Sequence, residues 1–140
     1  MNPGSEEWLR AMGRDAYAET TGLEVLRAEP GLAEVRMPVT PAILNGHGIV
    51  HGGALFTLAD YASAIAANLI AGPVVAANAS ISYLRPIRRG FALARAKTVK
   101  SGRRVKVQMV EIYDDRGDLA AIFQGGAMPA ADPARPPAPA

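Results

Sequence analysis

The 140-residue sequence predicts an α+β domain in which a curved antiparallel sheet wraps one central helix. Three observations carry that prediction. An alanine-rich run from Gly52 to Ala71 holds one charged residue, Asp60, and repeats its apolar positions at helical spacing. Around it lie segments of strand character, divided by Gly, Pro and Asp turns that suit hairpins. The length suits one domain with its own core, and the absence of cysteine removes disulfides, a thiol nucleophile and thiolate metal sites.

Taken in order, Ser5 is a plausible N-cap, Glu6 and Glu7 suit the positive end of a helix, and Leu9 and Met12 extend an apolar stripe to Gly13. Trp8 reads as a packing anchor. A second helical turn is expected over 15–20, making 1–21 an N-terminal helical segment. From Gly22 the period changes. Residues 23–29 and 32–39 read as strands around the turn Glu29-Pro30-Gly31, and Ala33, Val35, Met37 and Val39 alternate with Glu34, Arg36 and Pro38. A glycine-punctuated loop over 45–51 carries both histidines and runs into the central helix. On that helix Leu55, Leu58, Ala59, Ala62, Ala66 and Leu69 share one face, while Thr57, Asp60, Ala64 and Asn68 share another. Gly72 is expected in the left-handed C′ geometry, with Pro73 as the stop. Strands follow over 74–84, 91–100, 103–113 and 118–128, so that 22–128 forms the wrapped-helix domain. The Ala/Pro composition of 129–140 describes a disordered tail.

No run is expected to cross a bilayer, because Asp60 and several polar residues interrupt the best candidate. The N-terminus lacks the basic-then-apolar layout of a signal peptide, so a cytoplasmic protein without membrane contact is the expectation. Charge is distributed unevenly. No acidic residue lies between Asp60 and Glu111, whereas that interval holds Arg85, Arg88, Arg89, Arg95, Lys97, Lys100, Arg103, Arg104 and Lys106, nine of the fifteen Lys and Arg. Such a stretch is either a solvated basic face or a surface for a polyanion. Few aromatics, Tyr83 and Phe91, are interleaved with the cations, which argues against nucleic acid. A phosphate-bearing small molecule fits the charge.

The chemistry is concentrated in 45–60. Asp60 is a lone carboxylate in an uncharged helix, a setting that raises a pKa and suits a general base. Gly52 and Gly53 can offer backbone N–H groups at the positive helix end, where a developing oxyanion is stabilised. His47 and His51 stand four apart but in a glycine-rich loop with no acidic third ligand nearby, so no metal site is expected. No Gly-x-Ser-x-Gly elbow supports a serine triad.

The run Asn45, Gly48, His51-Gly52-Gly53, Phe56, Leu58-Ala59-Asp60, Ala62 and Ala67-Asn68 resembles the hot-dog-fold acyl-CoA thioesterases of the PaaI type and their 4-hydroxybenzoyl-CoA and Them2-like relatives. The likeness continues through Ser82-Tyr83-Leu84-Arg85-Pro86 to about Gly126. It implies hydrolysis of an acyl-CoA, with a small or aromatic acyl group and a link to phenylacetate degradation. Asp60 would be base or nucleophile, Gly52 with Gly53 the oxyanion donors, Asn45 the amide that fixes carbonyl or water, and His51 an orienting residue. Coenzyme A, part of the substrate rather than a cofactor, would meet Tyr83, Leu84, Arg85, Arg88, Lys100, Ser101, Gly102, Arg103 and Arg104. The resemblance also implies a homodimer that completes the site, and a homotetramer of two dimers. Some relatives carry a hydroxyl residue on the strand after the helix. That position falls near Ala76 here, leaving Asn78 or another group to substitute. A hot-dog dehydratase or hydratase, and a non-catalytic acyl-CoA binder, are the alternatives.

Overall fold

The computed structural model of the chain describes residues 12–130. A short helix α1 (Ala16–Thr21) precedes strands β1 (Glu24–Glu29) and β2 (Leu32–Pro38). A 3-10 turn (Pro41–Ile43) then leads through the glycine loop into α2 (Gly52–Ala71), followed by β3 (Val74–Tyr83), β4 (Phe91–Ser101), β5 (Lys106–Tyr113) and β6 (Leu119–Pro129). The six strands form one sheet in the order β1-β2-β4-β5-β6-β3, with every neighbouring pair antiparallel. This is the helix wrapped in a sheet that the sequence predicts. The helical segment expected from Ser5 (all but Met12) and nearly all of the Ala/Pro tail lie outside the described residues.

The core follows from alternation on the strands and helical spacing on α2. Val35 and Met37 from β2, Ala92 and Ala94 from β4, Val110 and Ile112 from β5, and Ala121 and Phe123 from β6 are all buried. Against them lie Leu55, Leu58, Ala59, Ala62, Ile65 and Ala66 of α2. Alanines on both surfaces let the helix axis approach the sheet closely. Each large side chain removed from water there stabilises the fold by about 1.5–3 kcal/mol. Thr57, Asp60, Ala64 and Asn68 are only half-buried, so they mark the helix face that the sheet leaves uncovered.

Several expectations need correction. Gly72 is extended (φ −75°, ψ 172°), not left-handed. Glycine is required there because a Cβ would lie 2.7 Å from the Asn68 carbonyl oxygen and 2.8 Å from Asn68 Oδ1. Asn68 itself locks the helix end to β3, donating from Nδ2 to the Ala64 carbonyl (2.8 Å) and accepting at Oδ1 from the Val74 N–H (3.0 Å). Strand β5 begins at Lys106 rather than at 103, because the Gly102 N–H closes the turn on the Val105 carbonyl at 2.9 Å. By length and composition α2 is apolar enough to cross a membrane, contrary to the expectation: its many alanines outweigh one aspartate. It is nonetheless the core helix, with half of that span buried by the protein itself. The basic run is also less one-signed in space than in sequence. Arg85 pairs with Asp118 (3.6 Å), and Arg95 lies 3.9 Å from Glu34 and over the Tyr113 ring.

Strand β3 forms one end of the sheet and pairs only with β6. Val75, Ala76, Ala77, Asn78, Ala79 and Ser80 are all exposed in the single chain. An edge of this length, carrying no charged side chain, is a surface on which another strand can pair.

Candidate active site

The loop before α2 is held by its own hydrogen bonds. Gly48 takes a positive φ of 72° and closes on Asn45, whose own N–H donates to the Ile49 carbonyl at 2.8 Å. Asn45 Oδ1 accepts from the His47 N–H (2.9 Å) and, more weakly, from the Ile49 N–H (3.4 Å). With its oxygen thus occupied, the Asn45 amide has Nδ2 left to offer as a donor.

At the helix start His51 is the N-cap, and its Nδ1 accepts from the Gly53 N–H at 2.8 Å. A ring nitrogen acting as acceptor carries no proton, so the neutral ring here has its hydrogen on Nε2. This bond commits the Gly53 N–H, which the sequence reading offers as a second oxyanion donor. The Gly52 N–H differs: it has no acceptor among the described residues. The Gly52 carbonyl is fixed from below by the Tyr83 hydroxyl, which donates to it at 2.8 Å. One free N–H therefore remains at the positive end of a 20-residue helix.

Asn45, His47, Gly52, Tyr83, Leu84, Arg85 and Arg88 all line one cavity of about 620 Å³. An adjoining recess of about 180 Å³ is walled by Arg85, Arg88, Arg89 and Arg116 with Asp114 and Asp115. Cavity and recess together pair one amide donor and one backbone donor with four guanidinium groups. The candidates Lys100, Ser101, Gly102, Arg103 and Arg104 are not brought here. Lys100 and Ser101 end β4, and Gly102, Arg103 and Arg104 lie in the turn to β5, at the opposite end of β4 from Arg88 and Arg89.

Asp60 does not line that cavity either. It lies eight residues after Gly52, about 12 Å along the helix axis at 1.5 Å per residue. Half-buried, it has no hydrogen-bond partner among the described residues, and its carboxyl is pushed above the ordinary aspartate range, first by burial and then by the nearby Asp15 charge. It faces two small spaces. One, of about 30 Å³, is shared with Ser63, Asn68, Asn78, Gln108 and Gly125 and is large enough for a water. The other, of about 270 Å³, opens between α2 and α1. Ser63 and Gln108 are buried polar groups that sequence reasoning passes over. Ser63 could have been found from its place three residues after Asp60 on the same helix. For Gln108, on a strand distant in sequence, no local signal exists. Ala76 lines the smaller space together with Asn78. Asn78 has room because its β6 neighbour is Gly126, where a Cβ would come within 2.5 Å of Asn78 Oδ1.

A six-stranded antiparallel sheet around a long helix, whose first residue Gly52 lines a cavity together with Arg85 and Arg88, places the chain in the hot-dog class. The comparisons specify the family. The family described as Thioesterase superfamily matches residues 47–121. The acyl-coenzyme A thioesterase PaaI of Escherichia coli strain K12 is 38% identical over 112 residues, covering 79% of this chain and 80% of that protein. A putative esterase of Deinococcus radiodurans is 39% identical over 112 residues, 79% of this chain and 76% of its own. The solved structure of E. coli PaaI superposes with a TM-score of 0.83 at 35% identity, covering 89% of this chain and 91% of that one. The chain belongs to the thioesterase superfamily and is a thioester hydrolase of the PaaI-like kind.

Proposed function

We propose that the protein hydrolyses an acyl-CoA with a small or aromatic acyl group, in a site completed by a second copy of the chain. The observation that carries this reading is the division of the parts. The free Gly52 N–H and the Asn45 amide share a cavity without Asp60, while Asp60, with no hydrogen-bond partner among the described residues, stands on the face of α2 that the sheet leaves uncovered and shares a small space with residues of the β3 edge. Pairing two copies through β3 about a two-fold axis covers the edge and sets α2 against α2, so that one chain's Gly52 can meet its partner's Asp60. A tetramer of two such dimers is the fuller assembly this reading anticipates.

In that site the thioester carbonyl accepts from the Gly52 N–H, and Asn45 Nδ2 holds the carbonyl or the attacking water. Asp60 takes a proton from water as its oxygen attacks the carbonyl carbon, and the tetrahedral oxyanion forms against Gly52. Collapse expels coenzyme A as a thiolate, which needs no strong acid. Asn78 supplies the polar contact that a hydroxyl on β3 gives in relatives. Arg85 and Arg88 receive the phosphates from one chain, and the Lys100–Arg104 turn reaches them only if the second copy presents it. The test is thiol release over a panel of acyl-CoAs, followed with Ellman's reagent on wild type and Asp60→Asn. Release by wild type and its loss in the variant support the reading. Tight binding without release would favour a non-catalytic binder, and hydration of an enoyl-CoA would favour the hydratase.

A further inference from the structure

The space of about 270 Å³ between α1 and α2 has a defined lining: Met12, Phe56 and Ala64 supply apolar wall, Tyr17 and Tyr61 aromatic wall, and Asp15, Thr57 and Asp60 the polar groups. Its size is close to the lower end of the ~300–1,000 Å³ typical of small-molecule pockets. Two carboxylates face it and, among the described residues, no cation does. Arg14, next to Asp15 in sequence, is exposed and bonded to Glu19 at 3.0 Å. Asp15 is fixed in place, since one of its oxygens accepts from the Ala18 N–H at 2.9 Å as the N-cap of α1. Its charge reaches into the space: it raises the carboxyl of Asp60 and contributes to lifting the Tyr61 hydroxyl to about 12, each behind the larger effect of burial. Glu19 adds to the same negative field at Tyr61. The groups from the remaining sides, Thr57, Phe56 and Ala64, are uncharged.

We propose that this space receives the acyl group of the thioester, and that Asp15 is a specificity-determining residue which admits uncharged acyl groups and excludes those ending in a carboxylate. The inference rests on the reading that Asp60 faces the thioester, because the acyl chain must pass that carboxylate to enter. An acyl carboxylate in this space would sit between two like charges with its water removed, and no Arg or Lys among the described lining residues would offset the loss. A neutral group that donates a hydrogen bond meets the opposite situation and can donate to the Asp15 oxygen that the helix cap leaves free.

The experiment compares 4-carbamoylphenylacetyl-CoA with 4-carboxyphenylacetyl-CoA, which match in size and differ in charge, on the full-length enzyme. Wild type is expected to favour the carbamoyl compound by about 30-fold or more in kcat/KM, the scale of repulsion between nearby like charges at a partly buried site. Asp15→Asn and Asp15→Ser both keep a side-chain oxygen able to cap α1. Each should narrow the preference by about tenfold, because one of the two charges is gone. Equal rates on the two thioesters by wild type, or an unchanged ratio in a folded Asp15 variant, overturn the proposal while leaving the hydrolase reading intact. Absence of thiol release from both compounds and from phenylacetyl-CoA overturns the hydrolase reading itself, and the acyl site with it.

Discussion

Gly52 permits a substitution pair that separates a steric effect from a chemical one. A Cβ at this position would stand 2.9 Å from the Tyr83 hydroxyl oxygen and 3.0 Å from its Cζ, so either alanine or proline pushes the same ring aside. The ring can move, because Tyr83 is 53% exposed. Its displacement removes the hydrogen bond to the Gly52 carbonyl, a loss of about 0.5–1.5 kcal/mol. Replacing glycine restricts the unfolded chain and returns about 0.4–1 kcal/mol. The two nearly cancel, so Gly52→Ala should melt within a few degrees of wild type. Proline suits the first helical position, where its missing N–H breaks no helical bond. The preceding residue must be extended, and His51 already is, at φ −59° and ψ 136°. Gly52→Pro therefore repeats the steric change of the alanine variant and additionally deletes the N–H. Losing one oxyanion donor lowers kcat by about 10²–10³. The ratio of kcat between the alanine and proline variants, measured by thiol release on proteins of matched melting temperature, should fall in that range. A ratio below about threefold, far short of a donor's worth, would refute the assignment of the Gly52 N–H to the oxyanion.

Asp60→Asn should reduce kcat by about 10²–10⁴, the contribution of a positioned general base, and at neutral pH it should also raise Tm. The sign follows from linkage: the folded pKa of Asp60 lies above the unfolded one, so the stability gained from its neutral form is complete in acid and is lost as pH rises through the folded value. The Tm gap between variant and wild type should thus widen from acid to neutral pH and then level off; a gap independent of pH would count against a desolvated carboxylate. For the same reason the acid limb of kcat/KM should lie above the ordinary aspartate range, and Asp15→Asn, which removes one of the two causes, should move that limb to lower pH. Finally, Gly52→Pro and Asp60→Asn, each slowed at least about a hundredfold alone, should complement when unfolded together and refolded: random pairing leaves roughly a quarter of all sites with neither defect. Recovery of no activity, despite mixed dimers by native mass spectrometry, would place both residues in one chain's site.

Much of this was legible in the sequence, and the reasons are physical. The strands show themselves because Val35 and Met37 alternate with Glu34 and Arg36, and a half-buried strand imposes that period. Asp60 stands out because a carboxylate in an alanine helix has no local purpose. What the sequence conceals is whatever long-range packing decides. Lys106 and Gln108 are buried, while Val105 between the turn and the strand is exposed. The apolar residues at that end of β5 fall on the outward phase, and the register is set further along by Val110 and Ile112. Gly53 and Gly52 look equivalent in sequence. Only the ring of His51, turned back over the first turn, makes one N–H occupied and the other free. Asp15 and Asp60 are 45 positions apart by residue number, and nothing short of the packing of α1 against α2 brings them to one space.

The same economy of side chains explains both fold and site. A sheet can close around α2 because Ala59, Ala62 and Ala66 fill half of the inward positions they share with Leu55, Leu58 and Ile65, but a slim helix buries little area per residue and leaves one face that the sheet does not cover. On that face the chain places Thr57, Asp60, Ala64 and Asn68, residues too small or too polar to hold a monomer's core. Asn68 is used at once, to fasten the helix end to β3. Asp60 bonds to nothing described, and half-burial without a partner is an unfavourable state for a carboxylate that serves structure alone. The cost is explained if its partner is a reacting water at a seam between chains. The open edge of β3 lies on the same side of the sheet as the small space it shares with Asp60, through Val74, Val75, Ala76 and Asn78. On the proposed reading, closing that edge with a second chain and completing the desolvation of that carboxylate are one event, which would tie the chemistry to the assembled dimer rather than to the folded chain.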